Sequence, residues 1–378
     1  MKFPWTLVTS MVACYLMVST QTLALPLSAL DDSNNRLSTY NEGAIEARLD
    51  QIQLPFDIKY NAKVRSYIKD YVATGYKQTQ DILGRSLMYF PIFEHYLTIN
   101  GLPKELMYLP IIESALDPRA KSPVGAAGLW QLMPTTARDY GLKIDGQVDE
   151  RLDPYKSTEA AVKILADLYK QFRDWRLVLV AYNCGQGKLL QAMQSANCKD
   201  YWEMEAHLPE QTQRYVPAYI AAAYVINFYD HHGLKPEYPS LNLRETRALK
   251  VHQSLSFQQI ASACGVAPST IALLNPGFVQ NQIPASKKGH FLILPASSVN
   301  VFKNFLAGKT IGSLHFSIPA NTFQSTYVVA KGDQIERLAS LFQCKVEDIM
   351  KWNGLSEREV FVNQELIVFI PSELSKRA

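Results

Sequence analysis

The run LPIIESALDPRAKSPVGAAGLWQLMP, residues 109–134, sets Glu113 behind Leu109, Pro110, Ile111 and Ile112. An apolar setting disfavours the charged carboxylate, raises its pKa and suits it to donate a proton. Cleavage of a glycosidic bond normally takes two carboxyls. Residues 118–138 contain neither Asp nor Glu, and Asp117, the nearest, reads as a helix-end cap before Pro118. The loop KSPVGAAGLWQLMP carries two glycines and small alanines. Small residues leave room, and their backbone N–H groups can meet a polyhydroxyl ligand. Trp130, Gln131 and Met133 add an aromatic face, an amide and a soft apolar contact, a set that suits a sugar with an N-acetyl group. Trp130 and Met133 serve equally well as core. Further on, LVAYNCGQGK places Tyr182 and Asn183 at the end of an apolar helix, before the Gly185/Gly187 turn.

The elements that must hold these residues are helical. PKELMYLPIIES predicts a helix opening at Pro103, an N1-type proline, and closing at Asp117-Pro118. In VRSYIKDYVATGY, Val64, Tyr67, Ile68, Tyr71, Val72 and Tyr76 share one face with helical period. STEAAVKILADLYKQF predicts a second helix with Ser157 as N-cap, and RYVPAYIAAAYVINFY a third. Strand-like alternation is nearly absent from Lys59 to Tyr229.

After the Pro-bearing HHGLKPEYPSLN the chain repeats itself. IASACGVAPSTIALLN (260–275) aligns without gaps on LASLFQCKVEDIMKWN (338–353), with Ala261/Ala339, Ser262/Ser340, Ile271/Ile349 and Asn275/Asn353 identical. Each copy ends in a strand-like run, FLILP or LIVFIP, so each reads as strand, two short helices, strand. In the second copy Gly332 is followed by Asp333 and, three residues on, Glu336, which predicts a capping box. Ser254 and Leu255 stand at the matching turn of the first copy.

The 378 residues allow two or three folded units, and 47% hydrophobic with 19% charged residues is an ordinary globular balance. A net charge of +3 without a Lys/Arg block gives no reason to expect nucleic acid. Lys2, the apolar WTLVTSMVACYLMVS and TLA ending at Ala24 read as an export signal. The apolar run continues past Cys14, which favours simple cleavage over acylation of Cys14. Cys184 and Cys198 lie 14 apart and could bridge in an oxidising compartment, or all four mature cysteines could be buried thiols. No Cys/His cluster has zinc spacing, so neither metal nor cofactor is expected.

Three motifs then carry a resemblance: E-S-x-x-[DN]-P at Glu113–Pro118, G-x-x-G-L-[WM]-Q-x-[MI]-P at Gly125–Pro134 and A-Y-N at Ala181–Asn183. Residues 103–193 resemble the catalytic domain of the soluble-lytic-transglycosylase family. LPKELMYLPIIES resembles the D branch of its membrane-bound members. The two repeats resemble LysM modules, the first in degraded form. The resemblance implies an α+β multidomain chain: a mainly α-helical, goose-type lysozyme-like catalytic domain plus two small βααβ LysM-like modules. The expected layout is 1–24 signal peptide, 25–56 linker arm, 57–240 catalytic domain, 248–296 degenerate LysM-like module, 297–325 linker and 326–372 LysM module.

It also implies cleavage of the β-1,4 bond between N-acetylmuramic acid and N-acetylglucosamine in peptidoglycan, with a 1,6-anhydromuramoyl product. Glu113 would act as acid and then base, so no second carboxyl is required. Ser122, Gln131, Met133 and Tyr182 would contact substrate, with Asn183 bracing the loop. Gly332, Asp333, Gln334, Ile335, Gly354 and Leu355 would line a glycan groove. The implied partners are peptidoglycan glycan strands, met by a monomer in the periplasm, held at the outer membrane if Cys14 is lipidated. A hydrolytic muramidase would instead need a second carboxylate, with Asp139, Asp145 or Asp149 as candidates. A non-catalytic wall-binding protein would need none.

Overall fold

The computed structural model describes residues 41–307, 322–330, 333–353, 355, 357–360 and 365–371. The export signal, Cys14 and the first part of the expected arm lie outside the described residues. Backbone packing divides the chain into two compact units, Met1–Pro239 with Pro276–Gln280, and Ser240–Asn275 with Asn281–Ala378.

The first unit is helical. Its helices are α1 (Glu42–Leu49), α2 (Ala62–Lys69), α3 (Tyr76–Ile99), α4 (Leu109–Ser114), α5 (Pro134–Asp139), α6 (Pro154–Phe172), α7 (Trp175–Cys184), α8 (Gln186–Ala196) and α9 (Tyr215–Phe228). Helix α9 is the axis. Every residue from Tyr215 to Val225 is buried, so it has no polar face, as a helix packed on all sides requires. It packs against α1, α2, α4 and α7. Three tyrosines in it need partners for their hydroxyls. Tyr219 donates to the Glu105 carbonyl at 2.7 Å, Tyr224 meets His232 Nε2 at 2.8 Å, and Tyr215 reaches Glu113.

Several local expectations shift. The expected arm 25–56 is not all linker, because α1 buries Ile45 and Leu49, four residues apart on one face, in the main core. Asn41 caps it by accepting from the Ala44 N–H. The helix expected from Pro103 is broken. Lys104–Tyr108 is a 3-10 turn, and the α-helix restarts at Leu109. Pro110 explains this, since it lacks an N–H and its ring clashes with the carbonyl one turn back. Helix α6 begins at Pro154 rather than after Ser157. Asp153 is the better cap and accepts from the N–H groups of Tyr155 and Lys156 at 2.9 and 3.0 Å. Ser157 lies inside the helix and donates to the Asp153 carbonyl.

In the second unit β1 (Thr246–Val251) pairs antiparallel with β4 (His290–Pro295), and β2 (Leu255–Ser256) with β3 (Gln282–Ile283). Helices α10 (Phe257–Cys264) and α11 (Pro268–Leu274) lie between them in sequence. The expected linker 297–325 contains helix α12 (Val299–Leu306), whose Phe302 is fully buried and which packs on α10. Strand β5 (Thr322–Val328) pairs antiparallel with β6 (Glu365–Pro371), with α13 (Ile335–Leu341) and α14 (Val346–Asn353) between them.

The capping box falls in the other copy. Ser256 accepts from the Gln259 N–H while Gln259 Oε1 accepts from the Ser256 N–H. In the second copy Gln334 occupies the cap position without a side-chain bond. Asp333 instead folds back, accepting from the Ala330 N–H at 2.7 Å and the Tyr327 hydroxyl at 2.8 Å.

The repeated asparagine has one job in both copies. Asn275 Oδ1 accepts from the Ile293 N–H and its Nδ2 donates to the carbonyls of Ile293 and Ile271, all at 2.8 Å. Asn353 repeats the pattern on Ile367 and Ile349. Asn275→Ala strips a part-buried amide and carbonyl of Ile293 of their partner, so we expect a loss of about 2 kcal/mol, read from the urea midpoint of this unit. A loss under about 0.5 kcal/mol, the weakest a net hydrogen bond contributes, would deny the brace its role.

Candidate active site

Helix α4 ends abruptly after Glu113 and Ser114. Ala115 and Leu116 both adopt left-handed conformations, with φ of 51° and 60°. Residues with a Cβ resist that conformation, so tertiary contacts must hold them. Two are visible. Arg85 Nη1 donates to the Ala115 carbonyl at 3.0 Å, and Ser114 Oγ shares its one hydrogen between the carbonyls of Pro110 and Leu129 at 3.0 and 2.9 Å. The second bond ties the helix end to the loop that follows.

Glu113 itself is buried, with 1% of its surface exposed. Oε1 accepts from the Tyr215 hydroxyl, while buried Oε2 meets no protein partner. Burial pushes its pKa from 4.5 up to about 7, against the opposing pull of the Tyr215 bond. No second carboxylate among the described residues contributes to that value. The carboxyl therefore holds a proton near neutrality, with one oxygen uncommitted.

The loop from Lys121 to Leu132 is built as two small bridges, Lys121 to Ala127 and Ala127 to Leu132. Ser122 Oγ accepts from the Ala126 N–H at 2.9 Å and closes the first turn. Gln131 is buried at φ 47°, and its Nε2 donates to the carbonyls of Gly128 and Ala120 at 2.9 and 3.2 Å. The hydrogen bonds of its side chain among the described residues are made by Nε2. Gly128 has φ 83°, and a Cβ there would fall 1.9 Å from the Arg151 carbonyl oxygen. Gly128→Ala is expected to cost about 3 kcal/mol through overpacking, visible as a lowered Tm.

Tyr182 is half-buried and donates to the Trp130 carbonyl at 2.7 Å. Burial first, and the Glu113 charge second, hold its phenol well above the ordinary value, so the two groups share one environment. Trp130 is core: it is fully buried, donates from Nε1 to Thr158 Oγ1 at 2.9 Å and packs edge-on against Phe93. Met133 is half-buried at the start of α5 and has no polar tie to Glu113. Asn183 is buried, and its Nδ2 finds no hydrogen-bond partner among the described residues.

Of the three carboxylates considered for a water-activating mechanism, Asp145 and Asp149 are engaged elsewhere. Asp139 is exposed. Asp145 pairs with Lys143 and accepts from the N–H groups of Gln147 and Val148, which lowers its pKa to about 2. Asp149 is locked to Arg151 at 2.8 Å.

Tyr215 was not marked by its local sequence. It lies 102 positions from Glu113. The available signal was indirect: a tyrosine in a helix apolar on every side must find a hydroxyl partner somewhere.

In the second unit Gly332 and Gly354 lie outside the described residues. Ile335 is buried in the module core, and Leu355, partly buried, packs against it. Gln334 is exposed and Asp333 is fixed by its turn. Cys184 and Cys198 are free thiols, and Cys198 donates to Glu203.

Residues 91–205 match the transglycosylase SLT domain, 245–310 the LysM-like domain of lytic transglycosylase MltD, and 327–369 the LysM domain. The chain is 28% identical over 337 residues to membrane-bound lytic murein transglycosylase D of Escherichia coli K12, covering 86% of this chain and 73% of the relative. It is 35% identical over 112 residues to the soluble lytic murein transglycosylase of the same strain, covering 27% and 17%. Superposition on the 70 kDa soluble lytic transglycosylase of Escherichia coli gives a TM-score of 0.35 at 22% identity, over 55% of this chain and 31% of that one. The chain thus spans under a third of that structure, too partial an overlap to bear on the fold. Domain order and the catalytic-domain match agree: the chain carries a transglycosylase SLT domain followed by two LysM-type domains, the make-up of a peptidoglycan lytic transglycosylase.

Proposed function

We propose that Glu113 alone supplies acid and base for a non-hydrolytic cleavage of the muramic acid–glucosamine bond. Protonated Glu113 gives its proton to the departing O4 of the glucosamine unit as the bond to muramoyl C1 breaks. The muramoyl C6 hydroxyl oxygen then bonds to C1 and its proton passes to the Glu113 carboxylate. The product is a 1,6-anhydro ring, the carboxyl is regenerated and no water is consumed. One observation carries this reading: a buried carboxyl, protonated near neutrality, with one oxygen uncommitted and no second carboxylate acting on it. A group that must first give and then take a proton works best with a pKa near the working pH.

Ser122, Gln131 Oε1 and Tyr182 are proposed to contact the sugar. Asp333 and Gln334 are proposed to present the glycan-binding turn of the second LysM module. Tethering a weak glycan binder to the enzyme raises its effective concentration on a polymer. Envelope location follows the Escherichia coli relative, whose name states membrane attachment. Whether Cys14 anchors this chain is read from the mass of the mature N-terminus.

Digestion of purified sacculi tests the chemistry. Anhydro ends, one water lighter than reducing ends, are expected. Reducing ends would identify a hydrolase, and no release a binding protein.

A further inference from the structure

Arg151 is a buried arginine that the chemistry above does not use. It is 7% exposed, and Asp149 beside it is 5% exposed. The pair is bidentate: Nε meets Asp149 Oδ1 at 2.9 Å and Nη2 meets Oδ2 at 2.8 Å. The remaining nitrogen, Nη1, donates to the carbonyls of Gly125 at 2.6 Å and Leu132 at 3.1 Å. Those two carbonyls stand near opposite ends of the loop carrying Gln131, and Ser122 is hydrogen-bonded to the residue after Gly125. The Arg151 carbonyl oxygen presses on Gly128 in the same loop.

Burying two charges costs desolvation that their attraction does not reliably repay, so a buried ion pair is weak evidence for stability alone. Here one side of the guanidinium is fixed by a carboxylate and the other grips two points of one loop. The planar fork makes that geometry specific, and lysine, a single point charge, cannot reproduce it. Gln131 sits at φ 47°, a left-handed conformation that a residue with a Cβ resists, so its contacts must hold the loop there.

We propose that Arg151, anchored by Asp149, is a positioning residue for glycan cleavage: it clasps the 125–132 loop and thereby sets Ser122 and Gln131 against the sugar. This rests on the proposed contacts of Ser122 and Gln131 with substrate. The clasp touches no reacting atom. It acts on the distance between the bound glycan and the Glu113 carboxyl, where small misplacements are costly.

The test compares Arg151→Lys and Arg151→Met with wild type on soluble glycan strands of fixed length, with kcat, KM, Tm and product mass measured for each. Arg151→Lys keeps a charge for Asp149 but loses the double grip, so it guards against a Met variant that fails to fold. The expected result is a folded Arg151→Lys enzyme whose kcat/KM falls about tenfold, with kcat falling more than KM rises, well below its Tm. The effect of Gln131→Ala should also shrink in the Arg151→Lys background, because the loop is already displaced. A lowered Tm with unchanged kcat and KM would reduce Arg151 to a structural brace and overturn the proposal. Fully additive effects of the two substitutions would overturn it as well. Absence of anhydro product from wild type would sink the reading of Glu113 instead, so the two failures are separable.

Discussion

Glu113→Gln is expected to yield a folded protein that releases almost no anhydro muropeptides from sacculi. General acid catalysis supplies roughly 10²–10⁴-fold, and here the same group also serves as base, so a fall of about a thousandfold or more is expected. The substitution keeps the shape of the side chain and removes its proton chemistry. It also carries its own folding control. Raising a buried carboxyl from 4.5 to about 7 converts to about 3 kcal/mol. Because the folded value lies above the unfolded one, that contribution is whole below pH 4.5 and is lost as the pH rises through about 7. Gln cannot ionise. The variant should therefore gain on wild type by about 3 kcal/mol between pH 4 and pH 9, measured by urea unfolding across that range. Wild-type levels of anhydro product from a folded Gln variant would falsify the role of Glu113.

Tyr215→Phe moves the pH profile. The Tyr215 hydroxyl donates to Glu113, which favours the charged form and opposes the effect of burial. Without it the carboxyl keeps its proton to higher pH. Wild-type kcat/KM is expected to fall as the pH rises through about 7, where the acid form is lost. In Tyr215→Phe that falling limb shifts toward alkaline pH. The maximum also drops, by up to about 100-fold, since the carboxyl loses the contact that aims it. A variant with lower activity but an unmoved limb would show that Tyr215 supports packing alone.

Much of the site was legible because its parts are local. Glu113 follows an apolar run, and the turn after it announces itself through Asp117-Pro118 and the glycines beyond. Tyr215 was not legible as a partner, because contact across 102 residues leaves no local mark. Helix limits failed where two signals competed. Pro110 within an apolar run looked like a passenger, but its missing N–H divides the segment into a 3-10 turn and α4. Asp153 out-competed Ser157 because a carboxylate followed by proline makes the stronger cap. Asp333 had the composition of a capping box, yet the free Tyr327 hydroxyl and Ala330 N–H drew its carboxylate the other way. Helix α1 was missed because eight residues with two buried side chains barely rise above a polar background.

The bond from Tyr182 to the Trp130 carbonyl gives the pocket a direction. A phenol has one hydrogen, and this one is already given away. Toward a ligand Tyr182 offers lone pairs only. Whatever sugar atom faces it must bring its own hydrogen, as the N–H edge of an acetamido group does and its C=O edge does not. On the proposed binding mode, the Tyr182 hydroxyl thus decides which way round the acetamido group lies.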